Sequence, residues 1–132
     1  AAAVEGGAQA LSVTNTLRGM AINADTWRPM LANVVGGLSG PAIKPVALCM
    51  VHQVYTKVAR DAGVPIIGMG GIETWRDAVE FHLAGATALA VGTTLFVDPT
   101  TPVRILDGLA EYMAKRNLPS VRDLIGQVRT RE

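Results

Sequence analysis

The chain has 132 residues, 49% of them hydrophobic and 17% charged, which is enough apolar material for one ordered domain and excludes a disordered chain. A net charge of +1 with no dense basic patch argues against a nucleic-acid partner. The single cysteine, Cys49, excludes an internal disulfide and a cysteine-ligated metal site, and fits a reducing, cytoplasmic setting. No apolar run reaches membrane-spanning length.

In chain order, Ala1–Glu5 reads as the last turn of a helix stopped by Gly6-Gly7. That start lacks a basic leader and looks like a helix entered midway, so the chain is expected to be a segment of something longer. Leu11-Ser-Val-Thr14 alternates and is β-branched, predicting a strand with Asn15-Thr16 at its C-terminal end. Residues 17–40 form a long connection, of the kind that often carries function. Within it, Ala21–Thr26 and Pro29–Val34 could pair as a small hairpin around Asp25-Thr26-Trp27-Arg28, before Gly36-Gly37-Leu38-Ser39-Gly40 closes the connection.

Pro41 suits a helix first turn, and Ile43, Val46, Ala47, Met50, Val51, Val54 and Val58 follow at spacings that make one apolar stripe, up to Gly63. Val64-Pro-Ile-Ile-Gly-Met-Gly-Gly-Ile-Glu73 is too short an apolar run for a helix and fits a buried parallel strand. Its glycines, Gly68, Gly70 and Gly71, let a ligand approach the backbone closely. Thr74 is placed to cap a helix over 75–84, which Gly85 ends. A strand over 87–91 ends in Gly92-Thr93-Thr94, with a short helical turn expected at Thr93–Phe96. Asp98-Pro99 should open a helix from 99 to about 115, with Val103, Leu106, Leu109, Ala110 and Met113 as its apolar stripe. Ser120 should cap a last helix over Val121–Val128. The fold class is therefore α/β, with three strands, each followed by a helix or a ligand loop. Consecutive βα units with glycines at both strand ends resemble the phosphate grip of a (β/α)₈ TIM barrel. Closure of such a barrel takes eight strands, so the chain reads as about the last third of one, all within a single domain over residues 1–132.

Four stretches carry a more specific resemblance. Leu11-Ser-Val-Thr-Asn-Thr-Leu-Arg-Gly-Met20 and Leu31-Ala-Asn-Val-Val-Gly-Gly-Leu-Ser-Gly-Pro-Ala-Ile-Lys-Pro-Val-Ala-Leu48 resemble the dihydroorotate dehydrogenases. So do Ile66-Ile-Gly-Met-Gly-Gly-Ile-Glu73 and Leu83-Ala-Gly-Ala through Ala90-Val-Gly-Thr-Thr-Leu-Phe-Val-Asp-Pro99. The likeness runs in order over residues 4–126. Gly36-Gly-Leu-Ser-Gly-Pro41 and Gly68-Met-Gly-Gly71 look most like the NAD-linked class 1B catalytic subunits. The resemblance implies an FMN flavoprotein of pyrimidine biosynthesis that oxidises dihydroorotate to orotate. In that class a partner subunit with FAD and a 2Fe-2S cluster passes the electrons to NAD⁺, and a homo-oligomer is expected. Carried over by position, Thr14, Gly40, Gly70, Gly71, Gly92 and Thr93 match FMN-contacting residues, and Asn15 and Thr16 match the substrate pair.

The family's catalytic base is a cysteine on a loop upstream of residue 1, and Cys49, mid-helix, does not match it. No catalytic residue is therefore expected here, and the segment alone should be inactive. Simpler roles compete with each signal. The glycine pairs could be tight turns, Ser39-Gly40 a bend before a helix, and Asn15-Thr16 a loop cap. His52 and His82 lack a partner at metal-ligand spacing and read as solvated or packed. Trp27 and Trp75 read as packing residues, with Trp27 also able to meet a partner. Arg122, Arg129 and Arg131 read as a solvated tail. Two rival functions stand beside the first: a non-catalytic partial-barrel assembly module, and a related FMN barrel such as a dihydropyrimidine dehydrogenase.

Overall fold

The computed structural model describes residues 1–129. Its centre is a three-stranded parallel sheet in the order β1-β6-β7, formed by Leu11–Val13, Ile66–Met69 and Ala88–Ala90. Leu11 pairs with Ile66 and Val13 with Gly68, while Gly68 in turn pairs with Leu89. That register puts Leu11, Val13, Ile66, Gly68 and Leu89 on one face, because side chains alternate along a strand. This face packs on two helices, α2 (Lys44–Val54) and α4 (Trp75–Ala84). The core between them holds Ala47, Val51, Ile66, Ala78 and Phe81, all buried. Gly68 is required here, since a Cβ would stand 2.8 Å from both Phe81 Cδ1 and Ala86 Cβ. Its missing side chain lets Phe81 lie on the sheet, and burying a side chain of that size stabilises by roughly 3 kcal/mol.

The short α1 (Ala2–Glu5) ends at Gly6, as its sequence indicates. The helix predicted from Pro41 begins with a 3-10 turn over Pro41–Ile43 and continues through α2. A π-helical turn at Tyr55–Ala59 joins it to α3 (Arg60–Ala62), and left-handed Gly63 stops it at φ 65°. Ile43, Ala47 and Val51 form its buried line, but Val46 and Met50 lie exposed. Tyr55, at the start of the π turn, lays its ring against Gly85 and Gly126, where any Cβ would collide with it. Thr74 and Asp77 form a reciprocal capping box at the start of α4. Gly85 ends α4 at φ 120°, where the amide of Ala86 donates to the carbonyl of Phe81 (2.9 Å).

Other sequence expectations need correction. The last long helix, α5, spans Thr101–Lys115, not 99–115. The Asp98 carboxylate accepts from the amide and hydroxyl of Thr100 (2.9 and 2.6 Å), so Asp98-Pro99 shapes the preceding turn and Pro102 takes the helix's first turn. The apolar stripe of α5 is also rotated. Thr101 and Ile105 are buried, whereas Val103 and Leu106 are 60% and 65% exposed and Ala110 is exposed. The contact line runs through Gly108, whose bare Cα admits Trp75, and on to Tyr112, whose ring centroid lies 5.5 Å from that of Trp75.

The expected helix over 121–128 is only a 3-10 turn, Val121–Leu124. Ser120 and Asp123 cap it reciprocally, but Gly126 (φ 72°) turns the chain back so that its amide reaches His82 O at 3.0 Å. The small hairpin expected within the long connection is present, nested inside a second ribbon. The outer ribbon pairs β2 (Leu17–Gly19) with β5 (Gly36–Leu38), and the inner ribbon pairs β3 (Ile22–Asn23) with β4 (Arg28–Pro29). Asn23 sets the tip, its carboxamide oxygen accepting from the amides of Asp25 and Thr26 (3.0 and 2.9 Å). Trp27, read from sequence as a packing residue that could also meet a partner, does not pack: it is 89% exposed there, at φ 57°.

Candidate functional site

The C-terminal ends of β1, β6 and β7 open on the same side and meet the Ser39-Gly40 turn that leaves β5. They enclose a cleft of about 160 Å³. Thr14, Thr16, Gly40, Gly70, Gly71, Gly92 and Thr93 all line it, so the structure brings together seven of the eight site residues proposed from sequence. Asn15 is the eighth and does not line the cleft. Its side-chain oxygen accepts from the amide of Thr16 (2.8 Å), which makes it the local support of its neighbour. The Val13–Thr14 peptide before this turn is cis.

The two glycine-bearing strand ends are built differently. At the end of β6, Gly70 and Gly71 have φ values of 125° and 77°, which L side chains rarely adopt. A Cβ on Gly70 would stand 2.8 Å from Ala47 Cβ. One on Gly71 would stand 2.8 Å from Gly40 O and 3.0 Å from Lys44 N. This turn is thus pressed against the start of α2. At the end of β7, Gly92 has φ −121°, and a Cβ there would meet nothing within 4 Å. Among the described residues, the amides of Gly71, Gly92 and Thr93 have no protein acceptor. A backbone donor on a concave surface needs a partner, whether water or a ligand. Thr93 Oγ1 also donates to Ser39 Oγ (2.9 Å), tying the loop after β7 to the turn after β5.

The ionisable side chain in the lining, among the described residues, is Glu73. An anion in this cleft would therefore be held by amide N–H groups and hydroxyls, without a cationic side chain in the wall. Behind the wall, Lys44 Nζ stands 2.6 Å from Asp77 Oδ1 and 3.0 Å from Glu80 Oε2. Burial pushes the Asp77 carboxyl up, but the Lys44 ammonium and donors from Glu73 and Thr74 outweigh it and hold it below the ordinary carboxylate range. Asp77 in turn holds the Lys44 ammonium above its ordinary value.

The other candidates lie elsewhere. Cys49 is exposed on α2, away from the cleft. His82 is packed, as expected: its ring Nδ1 lies 2.8 Å from Ala86 O, so Nδ1–H donates there, and burial lowers its pKa and favours the neutral ring. His52 is half-buried on α2. Trp75 packs, whereas Arg122 and Arg129 are exposed and Arg131 lies outside the described residues. Among the described residues no group of three His, Cys, Asp or Glu could hold a metal, and no helix is long and apolar enough to cross a membrane. Sequence reasoning treated Ser39 as part of a bend and missed the Lys44–Asp77 pair. The Thr74-x-x-Asp77 capping spacing marked Asp77, but nothing in the sequence joined it to a lysine 33 positions earlier.

Comparison with known proteins is decisive for the family. The model of the dihydroorotate dehydrogenase family matches residues 1–113. This chain belongs to the dihydroorotate dehydrogenase family. Among relatives, the catalytic subunit of the NAD(+)-type dihydroorotate dehydrogenase B of Alkaliphilus oremlandii is 55% identical over 127 residues, 96% of this chain and 41% of that protein. The subunit of the same name from Geotalea daltonii is 55% identical over 128 residues, 97% of this chain and 41% of its own length. The crystal structure of the Eimeria tenella enzyme with ferulenol superposes with a TM-score of 0.74 at 32% identity, covering 95% of this chain and 32% of that one. The chain thus spans about two fifths of the length of these dihydroorotate dehydrogenase subunits. Its α/β fold is part of a (β/α)₈ barrel, as the sequence indicated.

Proposed function

We propose that this chain supplies the FMN-phosphate wall and part of the substrate wall of a class 1B dihydroorotate dehydrogenase catalytic subunit, and forms one piece of a single FMN-binding barrel domain. The observation that carries this reading is the convergence of two neighbouring strand ends on one cleft, with the amides of Gly71, Gly92 and Thr93 lacking protein acceptors there. A phosphate fits this donor set, because backbone N–H groups and hydroxyls at strand ends bind anions without a charged side chain. Gly70 and Gly71 would shape the turn, Gly92 and Thr93 would donate from the other side, and Thr14 and Gly40 would border the rest of the cofactor.

When bound, FMN supplies the hydride-accepting chemistry that oxidises dihydroorotate to orotate. This chain's residues orient and enclose. Thr16 lines the cleft and offers a hydroxyl to substrate, and Asn15 fixes the Thr16 backbone. Glu73 is the ionisable side chain in the lining, on the turn after β6. In this reading the cysteine base of the family resemblance would come from outside this chain, which would be inactive alone. These relatives are named as catalytic subunits, which supports a second subunit. We assign to that partner the FAD and 2Fe-2S cluster that would carry electrons to NAD⁺, in a cytoplasmic, homo-oligomeric enzyme of pyrimidine biosynthesis.

A second reading, a non-catalytic assembly module, is favoured by one observation. β1 and β7 form the outer edges of the sheet, and edges without a partner invite pairing. Absorption spectroscopy separates the two. In a protein that joins these residues to the remainder its relatives carry, the first reading expects a bound flavin band that orotate perturbs. It also expects Gly92→Val to weaken FMN binding at least about tenfold, since a branched side chain would fill the donor wall. A colourless protein, or a Gly92→Val variant with unchanged FMN affinity, would overturn the phosphate assignment.

A further inference from the structure

The cleft's two packed turns are held at a fixed spacing by a pair of residues that line neither of them. Asp77 uses both carboxylate oxygens. Oδ2 accepts from the amides of Glu73 and Thr74 (3.1 and 2.8 Å) and from the Thr74 hydroxyl (2.9 Å), which gathers in the chain just after Gly70-Gly71. Oδ1 accepts from Lys44 Nζ at 2.6 Å. Lys44 follows Ser39-Gly40 by one short 3-10 turn, so its backbone moves with that turn. Between the two anchors lies Gly71, so close that a Cβ would come within 2.9 Å of Lys44 Cβ and 2.8 Å of Gly40 O. The side chain of Asp77 is only 11% exposed and that of Lys44 30%, which limits water's competition for the ion pair.

We infer that Lys44 and Asp77 are positioning residues, which set the spacing between the Gly40 and Gly71 turns and thereby aim the Gly71 amide, without touching the anion. Glu80 adds a second carboxylate to Lys44, but at 45% side-chain exposure it tethers neither loop. The inference rests on the FMN-phosphate reading, and it makes a claim that a merely stabilising ion pair does not. Loss of the pair should weaken binding of the phosphate end of the ligand selectively.

The test is equilibrium binding, by flavin fluorescence, of FMN and of riboflavin, which lacks the phosphate, to the full-length subunit. Lys44→Met should lower the FMN-over-riboflavin preference by about tenfold while riboflavin affinity stays within about twofold, because small displacements of preorganised donors are costly. Lys44→Arg should recover most of the preference, and Glu80→Gln should leave it unchanged. A Lys44→Met protein with wild-type preference would overturn the inference. Should that variant fail to fold, Asp77→Glu, which keeps the charge but lengthens the arm, is read by the same ratio, with the same overturning result. If the wild-type protein itself shows no preference for FMN over riboflavin, the phosphate reading fails first.

Discussion

The ends of β6 and β7 look alike in sequence, each a short apolar run closing on glycine, yet they lack side chains for different reasons. At Gly70 and Gly71 the protein itself forbids a Cβ, through positive φ and through Ala47, Gly40 and Lys44 pressed against them. At Gly92 nothing in the protein forbids one. A glycine excluded by packing reports on the fold, whereas a glycine facing open space, beside amides without acceptors, reports on what the fold receives. The cleft is thus a rigid wall set against a bare one.

Substitutions should separate the two walls, and the largest effect belongs to the packed one. Gly71→Ala should cost about 3 kcal/mol in urea unfolding, from positive φ and from overpacking against Gly40 and Lys44 together. Removing the charge behind that wall comes next. Asp77→Asn should cost about 2 kcal/mol near neutral pH, because it leaves Lys44 partly unpaired. The sign of the pH dependence follows from the lowered Asp77 value. Its contribution is present above the ordinary value of 3.8 and is lost as pH falls through the lower folded value. The variant should lack the Asp77 part of this acid limb. His82 adds a separate loss at higher pH, since its lowered value makes stability present above 6.5 and lost as pH falls through the folded value. Urea midpoints measured from pH 7 to about pH 2 should show both limbs in the native protein and a smaller acid limb in Asp77→Asn, where Asp98, held below its ordinary value by Thr100 and Arg104, still contributes.

Smaller still is the cap, where Thr74→Ala should cost about 1 kcal/mol in thermal unfolding. The bare wall should respond least. Gly92→Ala is expected to change stability by no more than about 1 kcal/mol, given the open space at that position. Its effect should appear in FMN binding instead. If Gly92→Ala destabilised as much as Gly71→Ala, the contrast between the walls would collapse.

Local grammar was legible wherever a residue acts on its own neighbours. Gly63, Thr74 and Gly85 bound their helices as read, and the glycines after Met69 and Val91 meet at one cleft. The face of α5 was not legible, because the buried line is set by a bare Gly108 under Trp75, and an apolar count overlooks a glycine. The last helix failed for a similar reason, since Gly126 is shaped by Tyr55 and His82, far away in sequence. The lodging of Asn15 against Thr16 is a matter of side-chain geometry that the sequence does not carry. Lys44–Asp77 joins two βα units, and no periodicity within either one encodes it.

The exposed Trp27 at the hairpin tip has a practical consequence. The other tryptophan, Trp75, lies between Gly108 and Tyr112 with the Arg76 guanidinium 4.2 Å above its ring. One indole therefore emits from water and the other from a packed, cation-flanked seat. A neutral quencher such as acrylamide should quench the first more strongly than the half-buried second, giving the molecule two built-in optical reporters. A blue shift confined to the more quenchable component would register anything that settles over the hairpin, with no label attached.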